Sequence, residues 1–286
     1  MALAVVTGSS SGIGLATAVA LARARHTVAA TMRNLDAGAE IRKISANENL
    51  PIYPTMLNVD HDDSVREGFA KIVGQHGPID ILVNNAGIGG GGAVEETSLD
   101  VFRQVMETNF FGGLRCIKTV ITSMRERRQG TIVNVTSIAG RLAMTPQASY
   151  AASKWAFEAL SECLAQEMRA FNVRVAIVEP GVIATPIFTK ARPLLPDSPY
   201  PHSKRLRAIF AASLAKPTPP TVVADLICDI VDGDSWQLRY LAGPDAAPVL
   251  KARASKTDEQ VISEAAQSDE EFIARVKRER GLDITL

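Results

Sequence analysis

Tyr150 and Lys154 stand four residues apart, and their types and spacing suit acid–base chemistry. On a helix they share one face, a turn from each other. A phenol titrates near ~10, and a nearby ammonium favours the phenolate, so the pair predicts a tyrosine shifted toward working pH. General acid–base catalysis is most efficient there. Alone, the pair also fits any amphipathic helix; its weight comes from Ser137 ahead of it and a glycine-rich turn near the N-terminus. That turn, Gly8-Ser9-Ser10-Ser11-Gly12-Ile13-Gly14, has Gly-xxx-Gly-x-Gly spacing, unlike the GxGxxG fingerprint, and no Lys-Ser/Thr follows as in a Walker loop. Its physics is similar: glycines let the backbone approach a pyrophosphate, and the following helix offers free N–H groups and a favourable dipole.

The elements that must position these residues alternate in period. Strand-length apolar runs are predicted at Leu3–Val6, Thr27–Met32, Ile52–Leu57, Ile79–Val83, Thr131–Thr136, Val173–Val178 and Leu238–Ala242. Helical periodicity covers Gly12–Arg25, Asp36–Glu48, Asp62–Gln75 with an aspartate near its N-cap, Leu99–Arg127 and Ser149–Phe171, the fourth broken near Gly112-Gly113. Continuous apolar strands alternating with helices predict an α/β chain, 1–286, built as one Rossmann-type doubly wound parallel sheet of seven strands with helices on both faces. Between Gly181 and Pro220 the periodicity fades among prolines, which suits a substrate lid over about 182–215. Residues 244–286 read as a charged helical extension, packed on the body or making a subunit contact.

Composition excludes several classes. The chain has 31 Lys plus Arg against 31 Asp plus Glu, so no net field draws it to nucleic acid. Cys116, Cys163 and Cys228 have no metal-ligand spacing and read as buried reduced thiols, and the four histidines form no ligand pair, so no metal site is expected. The apolar start ends at Gly8, too short for a signal or a membrane anchor, which predicts a soluble, cytoplasmic protein.

The glycine turn, written TGxxxGIG, resembles the cofactor loop of the short-chain dehydrogenases/reductases. Asn84-Asn85-Ala86-Gly87 matches that family's NNAG, Asn109 its helix asparagine, Ser137 its serine after the fifth strand, Tyr150-xxx-Lys154 its YxxxK, and Pro180-Gly181 its PG after the sixth. These matches run in the family's order over residues 3 to 190. The resemblance implies roles. Tyr150 exchanges a proton with the carbonyl or alcohol oxygen, and Ser137 orients that oxygen. Lys154 lowers the tyrosine pKa and holds the nicotinamide ribose, and Asn109 kinks its helix and holds a water leading to Lys154. Asn85, Ala86, Gly87, Pro180, Gly181, Val182 and Thr185 line the cofactor.

Cofactor choice turns on the end of the second strand. Met32 stands where NAD-using relatives tend to carry Asp, and Arg33 follows, a guanidinium that suits a 2′-phosphate. This points to NADP(H), with NAD(H) as the alternative. Asn58-Val59 replaces the family's Asp-Val beside the adenine, and an asparagine can also meet an adenine amino group. On the substrate side, Ile187, Phe188, Leu194, Leu195, Tyr200, Leu206, Ile209 and Phe210 suit an apolar pocket or simple helix packing. No basic cluster is expected to point inward, and Lys204, Arg205 and Arg207 are expected at the surface. VMETNFFG, YAASKWAFEALSE and VEPG are most similar to the branch of 17β-hydroxysteroid and retinol dehydrogenases. Together these imply an apolar ketone or secondary alcohol as substrate and a homodimer or homotetramer through the two long helices. A dinucleotide-binding sensor or scaffold without turnover is the reading from another class; nothing in it requires Ser137, Tyr150, Lys154 and Asn109 together.

Overall fold

In a computed structural model that describes residues 1–190 and 198–286, the apolar runs pair as parallel strands. They are β1 (Leu3–Val6), β2 (Thr27–Met32), β3 (Ile52–Met56), β4 (Ile81–Asn84), β5 (Gly130–Val135), β6 (Val173–Pro180) and β7 (Arg239–Ala242), in the order β3-β2-β1-β4-β5-β6-β7. The inner strands are buried on both faces, so nearly every position is aliphatic, as the register Val5↔Ala29 and Val5↔Leu82 shows. Edge strand β3 buries Ile52 and Thr55, exposes Tyr53 and Met56, and tolerates Pro54, which cannot donate to a second neighbour.

Helices cover both faces. α1 (Gly12–Arg23), α2 (Ala39–Glu48) and α9 (Thr221–Asp232) pack with one side's core, including Leu21, Ile41 and Ile227. α3 (Asp62–His76), α5 (Gly112–Arg127) and α6 (Ala148–Arg169) pack on the other with Phe69, Ile72 and Met124. Burying one such side chain is worth about 1.5–3 kcal/mol. α4 (Leu99–Met106) precedes α5, and α7 (Ile187–Lys190) and α8 (His202–Ala215) follow β6. α10 (Ala246–Ala254), α11 (Asp258–Ala265) and α12 (Asp269–Arg280) close the chain, the last two with complete capping boxes at Thr257 and Ser268.

Several expectations change. The long helix is not interrupted at Gly112-Gly113: Glu107–Phe111 forms a π turn before it, and α5 runs on through both glycines. Those glycines serve packing, since a Cβ on Gly112 would lie 2.8 Å from Val59 Cγ2 and one on Gly113 2.6 Å from Phe157 Cζ. The helix expected from Asp36 starts at Ala39, after a separate turn, Leu35–Gly38, capped by the Asn34 side chain. The aspartate expected near the N-cap of α3 is there: Asp62 and Asp63 follow His61, which occupies the N-cap itself. α9 has no counterpart among the predicted helices, although Val222, Val223, Leu226, Ile227, Ile230 and Val231 repeat with helical period behind Pro219-Pro220. Cys116 is buried, but Cys163 is exposed.

Candidate active site

The sheet order reverses direction between β1 and β4, and in doubly wound folds ligands bind beyond the strand ends at such a point. Gly8 takes φ +69° and Gly12 φ +59° to turn the chain from β1 into α1. The turn is braced by the loop after β4. Thr7 Oγ1 accepts from the Asn85 and Ala86 N–H groups at 2.9 and 3.0 Å, and Asn85 Nδ2 donates to the Thr7 carbonyl at 2.8 Å. A Cβ on Gly14 would overlap Asn85 Nδ2 and the Gly8 carbonyl; one on Gly8 would lie 2.8 Å from Ala86 Cα. The Ser11 N-cap makes no side-chain bond to α1, and the helix has no acidic residue in its first turn. Its free N–H groups and positive end are therefore available to an anion.

Arg33 is exposed beyond β2 and forms no ion pair among the described residues, while Met32 is buried. Asn58 is half-buried; its Oδ1 accepts from Asp60 N–H at 3.2 Å, leaving the amide nitrogen uncommitted. Val59 packs beneath Gly112. After β6, the Val182 N–H donates to Asp245 Oδ2 at 2.9 Å, and a Cβ on Gly181 would collide with that carboxylate. Thr185 approaches Gly12, with its Cβ 3.2 Å from where a Gly12 Cβ would stand, so the loop after Pro180 closes over the glycine turn. Asp245 and Thr7 carry the bracing without having been singled out in the sequence; Thr7 belongs to the TG motif, but no local signal links Asp245 to a loop 63 residues earlier.

Ser137 follows β5, capping a short turn, Ile138–Gly140, with its Oγ accepting from Ala139 N–H at 3.1 Å. The same hydroxyl is within hydrogen-bonding reach of the Tyr150 phenol. Lys154 Nζ donates to the Val135 carbonyl at 3.0 Å and lies 5.7 Å from the Tyr150 ring centroid. Asn109 sits in the π turn. Its amide exchanges two bonds with the Ile88 backbone, 2.8 and 3.0 Å, and donates to Ser153 Oγ at 3.0 Å. It thereby ties the loop after β4 to α6, and the π turn aims it there.

Electrostatics depart from expectation at Tyr150. Burial raises its pKa, with the Ser137 hydrogen bond pulling the other way. Lys154, whose ammonium donates to the Val135 carbonyl, does not offset that rise. Lys154 is itself buried, and desolvation lowers its pKa to about 8 against the upward pull of Glu158. Glu158 accepts from Thr136 Oγ1 at 2.6 Å and Arg239 Nε at 3.0 Å. Fully buried Glu179 lies 3.5 Å from the same Arg239. Burial, then Glu158, pushes Glu179 up to about 6, with Arg141 and Arg239 opposing. Arg205, expected at the surface, is buried: its guanidinium donates to Asp269, Ala265 and Gln267 and lies 5.0 Å from the Phe272 ring centroid. Lys204 and Arg207 are exposed. Ile209 packs on Phe272, Val276 and Ile284, and Phe210 meets Phe188 edge-on at 5.0 Å. Leu194 and Leu195 lie outside the described residues. No group of three metal-ligating residues occurs among the described residues.

Fold, glycine turn and the serine, tyrosine and lysine together define a dinucleotide-type oxidoreductase architecture. The short chain dehydrogenase family profile matches residues 2–195, and the chain belongs to that family. It is an oxidoreductase of the short-chain type, acting on CH–OH or C=O groups. It is 36% identical over 250 residues to the uncharacterized oxidoreductase YusZ of Bacillus subtilis, covering 84% of this chain and 89% of that one. It is 43% identical over 185 residues to retinol dehydrogenase 8 of Bos taurus, 63% of this chain but 58% of that protein. Among solved structures, a short-chain dehydrogenase from Streptomyces avermitilis superposes with a TM-score of 0.80 at 32% identity, covering 93% and 98% of the two chains. Actinorhodin polyketide ketoreductase, solved with NADPH, gives a TM-score of 0.73 at 27% identity over 85% and 96%.

Proposed function

We propose that this protein interconverts an apolar ketone or aldehyde and its alcohol with NADP(H). One observation carries the reading: Ser137, Tyr150 and Lys154 converge beyond the carboxyl end of β5, beside a helix N-terminus left open for an anion. The bare glycine turn and the uncapped start of α1 fit a pyrophosphate, held by Gly8, Ser10, Ser11, Gly12, Ile13 and Gly14. Arg33 suits a 2′-phosphate, as a carboxylate in its place would not. Asn58 and Val59 face the adenine; Asn85, Ala86, Gly87, Tyr150, Lys154, Pro180, Gly181, Val182 and Thr185 serve the nicotinamide half. Actinorhodin polyketide ketoreductase and a metagenomic short-chain oxidoreductase were solved with NADPH and NADP, which is consistent with this choice. When bound, the nicotinamide supplies or accepts the hydride.

The protein's own residues do the rest. Tyr150 gives its phenolic proton to the carbonyl oxygen, or takes one from the alcohol. A pKa raised by burial keeps the phenol protonated, which suits the reductive direction. Ser137 donates to the same oxygen and fixes it beside the phenol. Lys154 supplies positive charge near the phenolate left behind and holds the ribose. Asn109 is a positioning residue that locks the loop after β4 against α6. α7 and α8 cover the substrate side as a lid within 182–215, and α10–α12 form an extension of the same single domain.

Titration with NADPH and NADH, then turnover over a panel of apolar ketones, tests this. NADPH should bind tighter, and Tyr150→Phe should abolish turnover while cofactor binding persists. Tight cofactor binding with no turnover by wild type would instead favour a sensor. The exposed groove of about 250 Å³ between α5 and α6, lined by Leu114, Ile121 and Leu160 with Lys118 and Glu167, suits a self-complementary homodimer or homotetramer contact. A monomeric species in sedimentation at micromolar concentration would refute that contact. No helix among the described residues is long and apolar enough to cross a membrane.

A further inference from the structure

A second cavity, of about 170 Å³, opens between the loop 142–145, α8 and the C-terminal helices α10–α12. Pockets that hold a whole small ligand measure roughly 300–1,000 Å³, so this one fits the end of a ligand. Its wall loop is the segment joining Ser137 to Tyr150, which places it next to the reacting centre along the chain. Leu142, Leu206, Ile209, Val249 and Phe272 supply apolar lining.

Its charges do not balance. Five cations line it: Arg205, Arg253, Lys256, Arg275 and Arg280. Arg205 pairs with Asp269 and Arg253 with Asp258. Lys256 lies 2.7 Å from both Glu264 and Glu279, and Arg275 lies 3.6 and 3.7 Å from the same two carboxylates, so two cations meet two anions. Arg280 is left over. Its guanidinium donates only to Met144 Sδ, at 3.5 Å, and it has no ion pair among the described residues. Burial weakens its charged form, Arg275 adds to that, and Asp245 and Glu279 act from a distance against it. His202 also lines the cavity, with Nε2 on the Ala265 carbonyl at 3.2 Å and a buried Nδ1 that has no partner. Arg280 is half-buried, a partly desolvated cation without an anion is costly, and a guanidinium fork matches the two oxygens of a carboxylate.

We propose that this cavity takes the carboxylate of the substrate, paired with Arg280, while the substrate's apolar ketone or alcohol end reaches Ser137 and Tyr150. This assignment rests on the carbonyl-reductase reading above and narrows its substrate class to keto or hydroxy acids with an apolar chain. One unmatched positive charge suits a monoanion; a phosphate dianion would keep a charge uncompensated.

Calorimetric titration of the full chain with NADPH present, using decanoate and 1-decanol as probes, tests the assignment apart from turnover. Wild type should bind decanoate at least tenfold more tightly than decanol. Arg280→Gln should erase that preference with decanol affinity unchanged, and Arg280→Lys should keep part of it, which separates lost charge from lost folding. Equal affinity of wild type for the two probes, or a preference surviving in Arg280→Gln, overturns the proposal. 9-Oxodecanoate and its methyl ester then report on chemistry. Wild type should reduce the acid with at least tenfold higher kcat/KM, and Arg280→Gln should treat the two alike. Carboxylate binding as expected without reduction of either compound would refute the carbonyl-reductase reading while leaving the anion site standing.

Discussion

Lys154 should destabilise the folded chain, and replacing it should show this. It is 5% exposed, its Nζ donates to one carbonyl at 3.0 Å, and desolvation, partly offset by Glu158, lowers its pKa to about 8. An unfolded lysine titrates near ~10.4. Below pH 8 both states are protonated, and the folded state carries the whole cost of the buried charge. The gap of somewhat over two units, at about 1.4 kcal/mol each, makes that cost about 3 kcal/mol. Between about pH 8 and 10.4 the unfolded chain holds more protons, so the cost shrinks as pH rises. Lys154→Met removes the charge and keeps the length, but it orphans the Val135 carbonyl at a cost of about 1 kcal/mol. The variant should therefore be more stable than wild type by about 2 kcal/mol at pH 7, and the advantage should vanish near pH 10. Urea unfolding followed by the fluorescence of Trp155 and Trp236, run on both proteins at pH 7, 8.5 and 10, measures it. Taking the difference at each pH cancels other titrating groups. A variant less stable at pH 7, or a difference that ignores pH, would refute the electrostatic account.

Three other perturbations have signs that follow from the proposed cofactor site or from packing and burial. Arg33→Asp should weaken NADPH binding by roughly ten- to a hundredfold, since a charge-assisted hydrogen bond is worth about 1.5–3 kcal/mol, with NADH affinity held or improved in the same titration. Gly14→Ala places a Cβ against the Asn85 amide and the Gly8 carbonyl, neither of which can yield without moving the glycine turn, so it should cost about 1–3 kcal/mol in thermal unfolding and most of the cofactor affinity. Glu179, fully buried and raised to about 6 first by burial and then by Glu158, holds more protons folded than unfolded between about pH 4.3 and 6, so its ionisation costs stability as pH rises through that window. Glu179→Gln mimics the protonated acid and should gain about 2 kcal/mol at pH 7 and nothing at pH 4, read as the difference in unfolding free energy.

Strands and glycine turn were legible in the sequence because their causes are local: a strand buried on both faces has to be aliphatic, and a tight turn against another backbone has to be glycine. The π turn was not. Glu107–Phe111 carries no residue that breaks a helix, and only the bonds from Asn109 to Ile88 and Ser153, 21 and 44 residues away, show why an extra residue is accommodated there. Gly112 and Gly113 looked like a break for the opposite reason: their purpose, room for Val59 and Phe157, belongs to partners distant in the chain. Arg205 was misplaced at the surface because one charged residue in a helix resembles another until α11 and α12 fold over it and supply Asp269 and two carbonyls.

Buried charge in this chain is concentrated beyond the carboxyl ends of β5 and β6 and beneath the C-terminal helices: Lys154, Glu158, Glu179 and Arg205 are all under a tenth exposed. The inner part of the sheet carries no such group; its buried side chains there are aliphatic or neutral. An aliphatic sheet needs no polar order to be stable, whereas each buried ion costs free energy unless partnered. Lys154 and Glu158 share α6 with Tyr150, and Glu158 is partnered with Arg239 across 81 residues, so the proposed chemistry at Tyr150 gives a reason for retaining ions at that cost. For Lys154 and Glu179, where burial outweighs the partners, neutral replacement should stabilise the chain, and at Lys154 it should also slow turnover, a pairing that a purely structural ion would not produce.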